Sequence, residues 1–558
     1  MARPPTARRP RATVGAQTSS RAPAASTPPG RPPRPTILVS STSGPRPMTL
    51  HPSALRRSHP TPRRLHQSTS RLIPPLCASR LVLSLLACHG GHEESASSAT
   101  STSTSGEMSA GDTTAGDTTT GAPQTCNELP CRPLVMISSG EAHACALLSG
   151  GTIRCWGLGQ YGQLGLGDVD AIGDDESPSS VAPVSLGSPA TYIAANDGRS
   201  CAVLLGGGLR CWGGGNYGAL GIGSTENVGD DETPDAVPLM DLGFHSVAVT
   251  IGNHHVCALS DEGAVRCWGS DANGRLGHGV ASMTDCFNPD PDSAPYDCTM
   301  NIQCCIGDDE PPSAAPVVAL GGPAVQLAAG GGHTCALLED GGVLCWGVGD
   351  LGQLGYGNTE SVGDDELPVS AGLVDLGMAA RQIAAGARHS CALLVDGSIR
   401  CWGDASFGAL GYGSLDRIGD DEVPLAVPPV PVGAPALALS AGGSRTCAIL
   451  EGGEVRCWGN GRFGALGLGD AEDLGDDESP DERPVVPLGS PALQIEPGHV
   501  TCALLDDRLV RCWGFGATAA LGNGSLAECL EELDCGGSPQ CCIGDDPREM
   551  PPPPIVLL

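Results

Sequence analysis

His333-Thr334-Cys335-Ala336-Leu337-Leu338-Glu339-Asp340-Gly341-Gly342-Val343-Leu344-Cys345-Trp346-Gly347 places two cysteines ten residues apart with a glycine turn between them. Thr334 to Leu338 and Val343 to Trp346 read as strands, and Asp340-Gly341, like Asp396-Gly397 one period on, supplies the positive φ of a tight hairpin. Upstream, Ala324 to Ala329 reads as another strand and Val317-Val318-Ala319-Leu320 as a fourth, with Gly321-Gly322-Pro323 as the turn between them. The pattern recurs seven times. Its first cysteine falls at 145, 201, 257, 335, 391, 447 and 502, at intervals of 56, 56, 78, 56, 56 and 55, so one copy carries an insertion of 22 residues. Self-similarity at this period belongs to propellers, solenoids and arrays. Four strands per copy, seven times over, predict an all-β, seven-bladed β-propeller.

Gly-x-x-His-x-Cys-Ala-Leu-Leu, Cys-Trp-Gly and the Gly-Gln-Leu-Gly-x-Gly of Gly162 to Gly167 resemble the regulator of chromosome condensation repeat. The resemblance covers about three quarters of the chain and implies seven blades of four strands. Paired cysteines and a repeated acidic motif depart from the family pattern and suit a secreted, disulfide-rich bacterial-type relative. The ends add a separate argument. Pro133 lies twelve residues before Cys145, as Pro323 does before Cys335, but the first copy has no preceding strand. The missing piece matches Ile555-Val556-Leu557-Leu558 at the other end. The expectation is a ring cut within one hairpin turn and closed by pairing of Leu134 to Ile137 with Ile555 to Leu558.

In each copy the cysteines face each other across a hairpin at a separation a disulfide can bridge: Cys145 and Cys155, Cys201 and Cys211, Cys257 and Cys267, Cys335 and Cys345, Cys391 and Cys401, Cys447 and Cys457, Cys502 and Cys512. Metal binding is the rival reading, but these pairs sit in isolated hairpins without a second pair nearby. Two further clusters lie in Cys-rich insertions near 281–305 and 525–542: Cys286, Cys298, Cys304, Cys305 and Cys529, Cys535, Cys541, Cys542. Four cysteines allow three connectivities, and the sequence leaves them open. Cys126 and Cys131 make a last pair. This usage implies an oxidising compartment.

The net charge of −32 hides two unlike regions. Residues 1–87 hold 14 Arg and no acid, leaving 17 Arg against 63 acids in the remainder, a net of −46, and the chain has no Lys. A body so acidic repels phosphate backbones, so no nucleic-acid partner is expected. Residues 1–75 have no apolar period and read as a disordered extension upstream of the true start codon. Residues 76–88 read as a signal peptide, in which Leu85-Leu86-Ala87-Cys88 resembles a bacterial lipoprotein box with Cys88 the lipid-modified residue. The apolar run is too short to span a bilayer, so a membrane is reached only through the lipid. Residues 89–132 are a Ser/Thr-rich flexible tether, and 133–558 are the propeller. With Cys77 removed and Cys88 lipidated, 24 of the 26 cysteines remain, an even number.

Three repeated constellations invite chemistry. Gly-Asp-Asp-Glu recurs at Asp174-Asp175-Glu176, Asp230-Asp231-Glu232, Asp308-Asp309-Glu310, Asp364-Asp365-Glu366, Asp420-Asp421-Glu422 and Asp476-Asp477-Glu478, with Asp545-Asp546-Pro547 as the last copy. Such carboxylates could hold Ca²⁺ or face a partner, but they lack EF-hand spacing, and capping of loop amides or pairing with Arg is the preferred reading. Arg154, Arg210, Arg266, Arg400, Arg456 and Arg511 precede Cys-Trp and make an Arg–Asp bridge available, with Leu344 in the remaining copy. Histidine stands two before the first cysteine at His143, His255, His333 and His389, replaced by Arg199 and Arg445 in two copies. A metal set near the channel is conceivable. Packing is preferred, because the family has His there generally and two copies lack it. Trp156, Trp212, Trp268, Trp346, Trp402, Trp458 and Trp513, once per copy, read as inter-blade core rather than a sugar platform.

No nucleophile elbow, zinc-protease or phosphate-loop motif is present in the sequence. The expectation is a monomeric binding module, not an enzyme and without cofactor, secreted to the cell envelope and lipid-anchored at the surface. It would recognise a protein or glycan through loops on one face, with the Cys-clamped insertions foremost. Secreted propellers of this family that inhibit β-lactamase give a precedent by analogy. The alternatives are nucleotide exchange or chromatin binding, as in eukaryotic members, and an enzyme using the channel. The export signal, disulfides and acidic body oppose the former. A His and a carboxylate converging in the channel without repeat counterparts would favour the latter.

Overall fold

The computed structural model describes residues 134–279, 305–516, 519–522, 542–543 and 545–557. The segments read above as extension, signal peptide and tether, with Cys88, Cys126, Cys131 and most insertion cysteines, lie outside them. The described chain forms seven antiparallel sheets in sequence order, one per repeat. In the fourth blade the inner strand is Ala324–Ala329, the middle strand His333–Leu338 and the third Val343–Gly347. Every residue of the middle strand is buried, because each sheet is packed on both faces by its neighbours. The inner strand alternates and carries a register shift between Ala324 and Gln326, repeated at the same place in all seven blades. The seven tryptophans have no exposed surface and stand between blades. Replacing one by Ala would cost roughly 3–5 kcal/mol.

The seven hairpin disulfides are formed, with Cα–Cα separations of 4.0 to 4.1 Å between directly paired residues such as Cys335 and Cys345. Each closes a short loop and contributes roughly 2–3 kcal/mol on the chain-entropy account. Cys305 is also disulfide-bonded.

The fourth strand of each blade is not where the sequence places it. Val317–Leu320 precedes the fourth inner strand but belongs to the third blade: Val318 N–H donates to Val265 O at 2.8 Å. Val374 likewise joins Val343, and Val430 joins Ile399. These outer segments make single ladder bonds rather than regular strands in most blades. Prolines such as Pro316, Pro429 and Pro431 flank them, and proline cannot donate to a ladder. A short, proline-flanked edge also resists pairing with other chains.

This assignment changes how the ring closes. The carboxyl-terminal strand Pro554–Ile555 pairs with the third strand of blade seven, Ile555 opposite Val510, and the amino-terminal strand Leu134–Ser139 pairs within blade one. Among the described residues the two terminal strands pair with strands of different blades and not with each other. Blades seven and one instead meet side by side. Ile137 N–H donates to Gln494 Oε1 at 2.9 Å, and Gln494 Nε2 donates to Ile137 O at 2.7 Å. Gln326 and Gln382 make the same paired bonds to Ile383 and Leu439 in the next blades. Trp156 Nε1 donates to Ala520 O at 2.9 Å and Ser177 Oγ to Val556 O at 3.1 Å, completing the joint.

Candidate functional site

The histidines lie in the seams between blades, each reaching a hydroxyl on the next blade. His143 Nε2 lies 2.9 Å from Ser200 Oγ, His255 2.7 Å from Thr334, His333 2.8 Å from Ser390 and His389 2.9 Å from Thr446. Ser200, Ser390 and Thr446 donate onward to Gln163, Gln353 and Ala409 carbonyls. Burial holds His143 and His389 down to about 4 and His333 to about 3, so they are neutral at physiological pH. Each imidazole uses Nε2 across its own seam, so the four rings serve four separate seams. Where the next blade offers Val256 instead of a hydroxyl, Arg199 replaces His and donates to Asn253 O at 2.7 Å and Gly214 O at 2.7 Å. Arg445 bonds Asn460 O at 2.7 Å and Gly498 O. The residue just before the next first cysteine carries this signal for Arg199, but not for Arg445, where the next blade offers Thr501.

The six arginines before Cys-Trp do not pair with the acidic motif. Arg154 Nη1 donates to Pro178 O at 3.0 Å and to Val181 O; Arg210, Arg266, Arg400 and Arg456 repeat this pairing of carbonyls three residues apart. Arg511 reaches Pro552 O. One guanidinium nitrogen, Nη1, takes both carbonyls of the short turn that follows Asp-Asp-Glu. Blade four, with Leu344, forms instead a helical turn Pro368–Ala371 ended by Gly372 at φ 79°.

The acidic loops are held between blades. The residue before each Gly-Asp-Asp bridges to the glycine of Cys-Trp-Gly, as in Gly213 with Val228 and Gly347 with Val362. Gly229, Gly307, Gly363, Gly419 and Gly475 have φ of 97 to 101°, and their carbonyls accept from Gly167, Gly223, Gly279, Gly357 and Gly413 of the preceding blade. A side chain would be strained in that conformation and would meet backbone, as 2.4 Å to Gly162 O at Gly229. Asp174 Oδ1 accepts from Asp175 N at 2.9 Å, and Asp364 Oδ1 from Asp365 N at 3.1 Å. Within each triad the carboxylate oxygens approach to within 4.8 Å. Burial, and then the flanking aspartates, push Glu176, Glu232, Glu310, Glu366, Glu422 and Glu478 up to about 7. These triads are the residues that could hold a hard cation such as Ca²⁺.

The channel departs most from the repeat. Its wall encloses a cavity of about 310 Å³ between the seven inner strands. Opposite each blade's first cysteine stand Ser138, Ala194, Thr250, Ala328, Ala384 and Ser440, and in blade seven Glu496. Two residues earlier the wall carries Met136, Ala248, Gln326, Gln382, Ala438 and Gln494, but Tyr192 in blade two. Burial pushes Glu496 up to about 7, and burial together with the Glu496 charge pushes Tyr192 up to about 12. Sequence reasoning missed both, because strand register decides which residues face the lumen. At the rim, His254 Nδ1 approaches Asp197 Oδ2 to 3.8 Å, but Asp197 is held by Arg199 at 2.8 Å. Burial, then Arg275 and Arg199, hold His254 down to about 4, so this approach is no ion pair at neutral pH.

The repeat seen in the coordinates is also found by comparison. The model of the Regulator of chromosome condensation (RCC1) repeat matches residues 136–163, 246–275, 324–353, 380–409 and 437–465, and a second model of that repeat matches 207–259 and 340–393. The chain is 29% identical over 413 residues to the Ultraviolet-B receptor UVR8 of Arabidopsis thaliana, covering 72% of this chain and 81% of that protein. It is 29% identical over 385 residues to the E3 ubiquitin-protein ligase HERC2 of Homo sapiens, covering 67% of this chain and 7% of that protein. Human WBSCR16 superposes with a TM-score of 0.51 at 21% identity, over 66% of this chain and 85% of that one, a likeness of fold.

Proposed function

Because the chain is built from regulator of chromosome condensation repeats, we propose that it is an exported, lipid-anchored propeller that binds a protein partner through loops on one face. The observation that carries this reading is the placement of the two breaks in the repeat. One Cys-rich insertion lies between Gly279 and Cys305–Ile306 in the sequence; the other lies between Gly522 and Cys542–Ile543. Both returning strands pair with the same part of their blades, Ile306 with Gly269 and Ile543 with Gly514. The described residues that follow the two insertions therefore hold equivalent positions, just before the acidic motif, on a scaffold stiffened by seven hairpin disulfides. Rigid scaffolds carrying variable loops are where binding sites concentrate. Export is supported by the cysteine usage, and anchoring by Leu85 to Cys88.

Affinity capture from the native cell surface tests the binding reading, using wild-type protein and a deletion of residues 286–305. A protein retained by the wild type and lost by the deletion supports it. Equal retention by both, or release of the captured material by glycosidase, refutes it in favour of another face or a glycan. Labelling with a radioactive fatty acid tests the anchor: the wild type should be marked and Cys88→Ala should not, and equal labelling of both overturns the lipoprotein reading.

A further inference from the structure

We propose that the channel is a binding site for a small organic amine, whose ammonium group is held by Glu496. The wall needs no carboxylate for its own closure. In blades one and three, Ser138 Oγ and Thr250 Oγ1 close the seam by accepting from the Ala195 and Ala329 N–H at 2.9 and 3.1 Å. Blade seven has Pro497 at that position, which has no N–H to donate. Ser440 Oγ turns instead to Glu496 Oε2 at 3.5 Å, the outer limit of a hydrogen bond. Gln494 Nε2 donates to Oε1 at 2.8 Å. A carboxylate has about four acceptor sites, so Glu496 keeps capacity for a donor that comes from the lumen.

The lumen fits a cation. The ionisable side chains among the described lining residues are Glu141, Tyr192, Glu496 and His499, and no arginine lines it. A carboxylate held away from bulk water is costly unless a positive charge meets it, and burial raises Glu496 to about 7 for that reason. An ammonium offers three donors, which match the carboxylate and neighbouring neutral oxygens. A divalent metal would want six or more oxygens arranged around one point. Tyr192 also lines this lumen, near enough to Glu496 to feel its charge, and an aromatic ring attracts an ammonium. A cavity of about 310 Å³ suits a small molecule rather than a side-chain filler.

Isothermal titration of the oxidised full-length protein with n-butylammonium chloride at pH 8 tests this, with n-butanol and calcium chloride as comparison ligands. The expected result is saturable binding of the amine alone. Glu496→Gln should weaken it by roughly tenfold or more, since a charge-assisted bond is lost. Ala387→Phe, at a half-buried position of the wall outside the hydrophobic core, should obstruct the lumen without altering Glu496 and abolish it. Should Glu496→Gln fail to fold, Ala387→Phe and the amine–alcohol difference still decide the matter. No saturable heat with the amine, equal binding of butanol, tighter binding of calcium, or unchanged affinity in the Phe variant would overturn the proposal.

Discussion

The seam between blades four and five and the seam between blades seven and one do the same job with different chemistry. At the first, Gln326 makes paired bonds to Ile383, and His333 meets Ser390 in the buried layer behind. At the second, Gln494 makes the same paired bonds to Ile137, but Val500 replaces the histidine and Ala144 the serine. The channel-side clasp is kept, while a buried polar pair is exchanged as a unit for an apolar one. A lone His facing Ala144, or a lone Ser facing Val500, would leave a buried polar group unpaired, at roughly 1–3 kcal/mol. The ring is thus closed by repeating an inter-blade device, not by an added terminal ladder.

The sharpest way to break the comparison is to remove what only the terminal seam depends on. Ile555 and Leu557 are 7% and 6% exposed, while Val556 between them faces solvent. Deleting residues 554–558 strips blade seven of its outer strand and two buried side chains, a loss of roughly 3–6 kcal/mol. Denaturant unfolding should show a clear drop in midpoint, where trimming a free terminus would show almost none. An unchanged midpoint would mean that Pro554–Ile555 adds nothing to the closed ring.

A smaller effect asks whether the two clasps are equal. Gln494→Ala and Gln326→Ala each delete two hydrogen bonds to an inner strand, and each should cost roughly 1–3 kcal/mol. Equal losses would mean that the terminal seam is as strong as an internal one. A loss confined to Gln326→Ala would show that the ends open before the ring does.

Acid should separate the seams by their histidines. Burial lowers His333 to about 3 and His389 to about 4. Their folded values lie below the unfolded ~6.5, so the unfolded chain takes protons first and stability falls as pH drops from about 6.5 towards 4. At pH 5 each such histidine costs up to ~2 kcal/mol. The rim glutamates and Glu496 have the opposite sign. Raised to about 7, they add stability at low pH that is lost as pH rises from about 4.5 through 7. The histidine contribution is therefore read as a difference: His333→Gln should flatten the acid limb relative to wild type. Equal slopes would show that the seam histidines do not report on folding.

The blades themselves were legible because composition and spacing are local: Ala324–Ala329 is the strand the sequence indicates, and every hairpin disulfide is where a ten-residue spacing puts it. What resisted reading was which neighbour a segment joins. Val317–Leu320 has strand composition, yet sequence order cannot say that it adds to the blade before it. The same limit turned Arg154 towards an aspartate on paper and towards the Pro178 carbonyl in the fold. Glu496 was hidden by register. Blade seven is one residue shorter before its first cysteine, so only strand pairing places Glu496 level with Ser440 and Ala384.

The smallest expected effect concerns the acidic loops, which lie at every internal seam alike. Their glycines are fixed by backbone bonds to the preceding blade, as Gly167 N–H to Gly229 O at 3.1 Å and Gly357 N–H to Gly419 O at 3.1 Å. Two of their aspartates accept from neighbouring backbone amides, Asp174 from Asp175 and Asp364 from Asp365. Burial and the flanking aspartates raise their glutamates to about 7, so a proton can relieve part of the crowding. If those bonds suffice, a chelator should leave the melting temperature of the oxidised protein unchanged within about a degree, at pH 7 and moderate salt. Bound calcium would instead stabilise the fold in proportion to the logarithm of its concentration over its dissociation constant. A fall in melting temperature on chelation, reversed by calcium and not by magnesium, would show that these loops are ion sites, and that the seams depend on a cation as well as on their glycines.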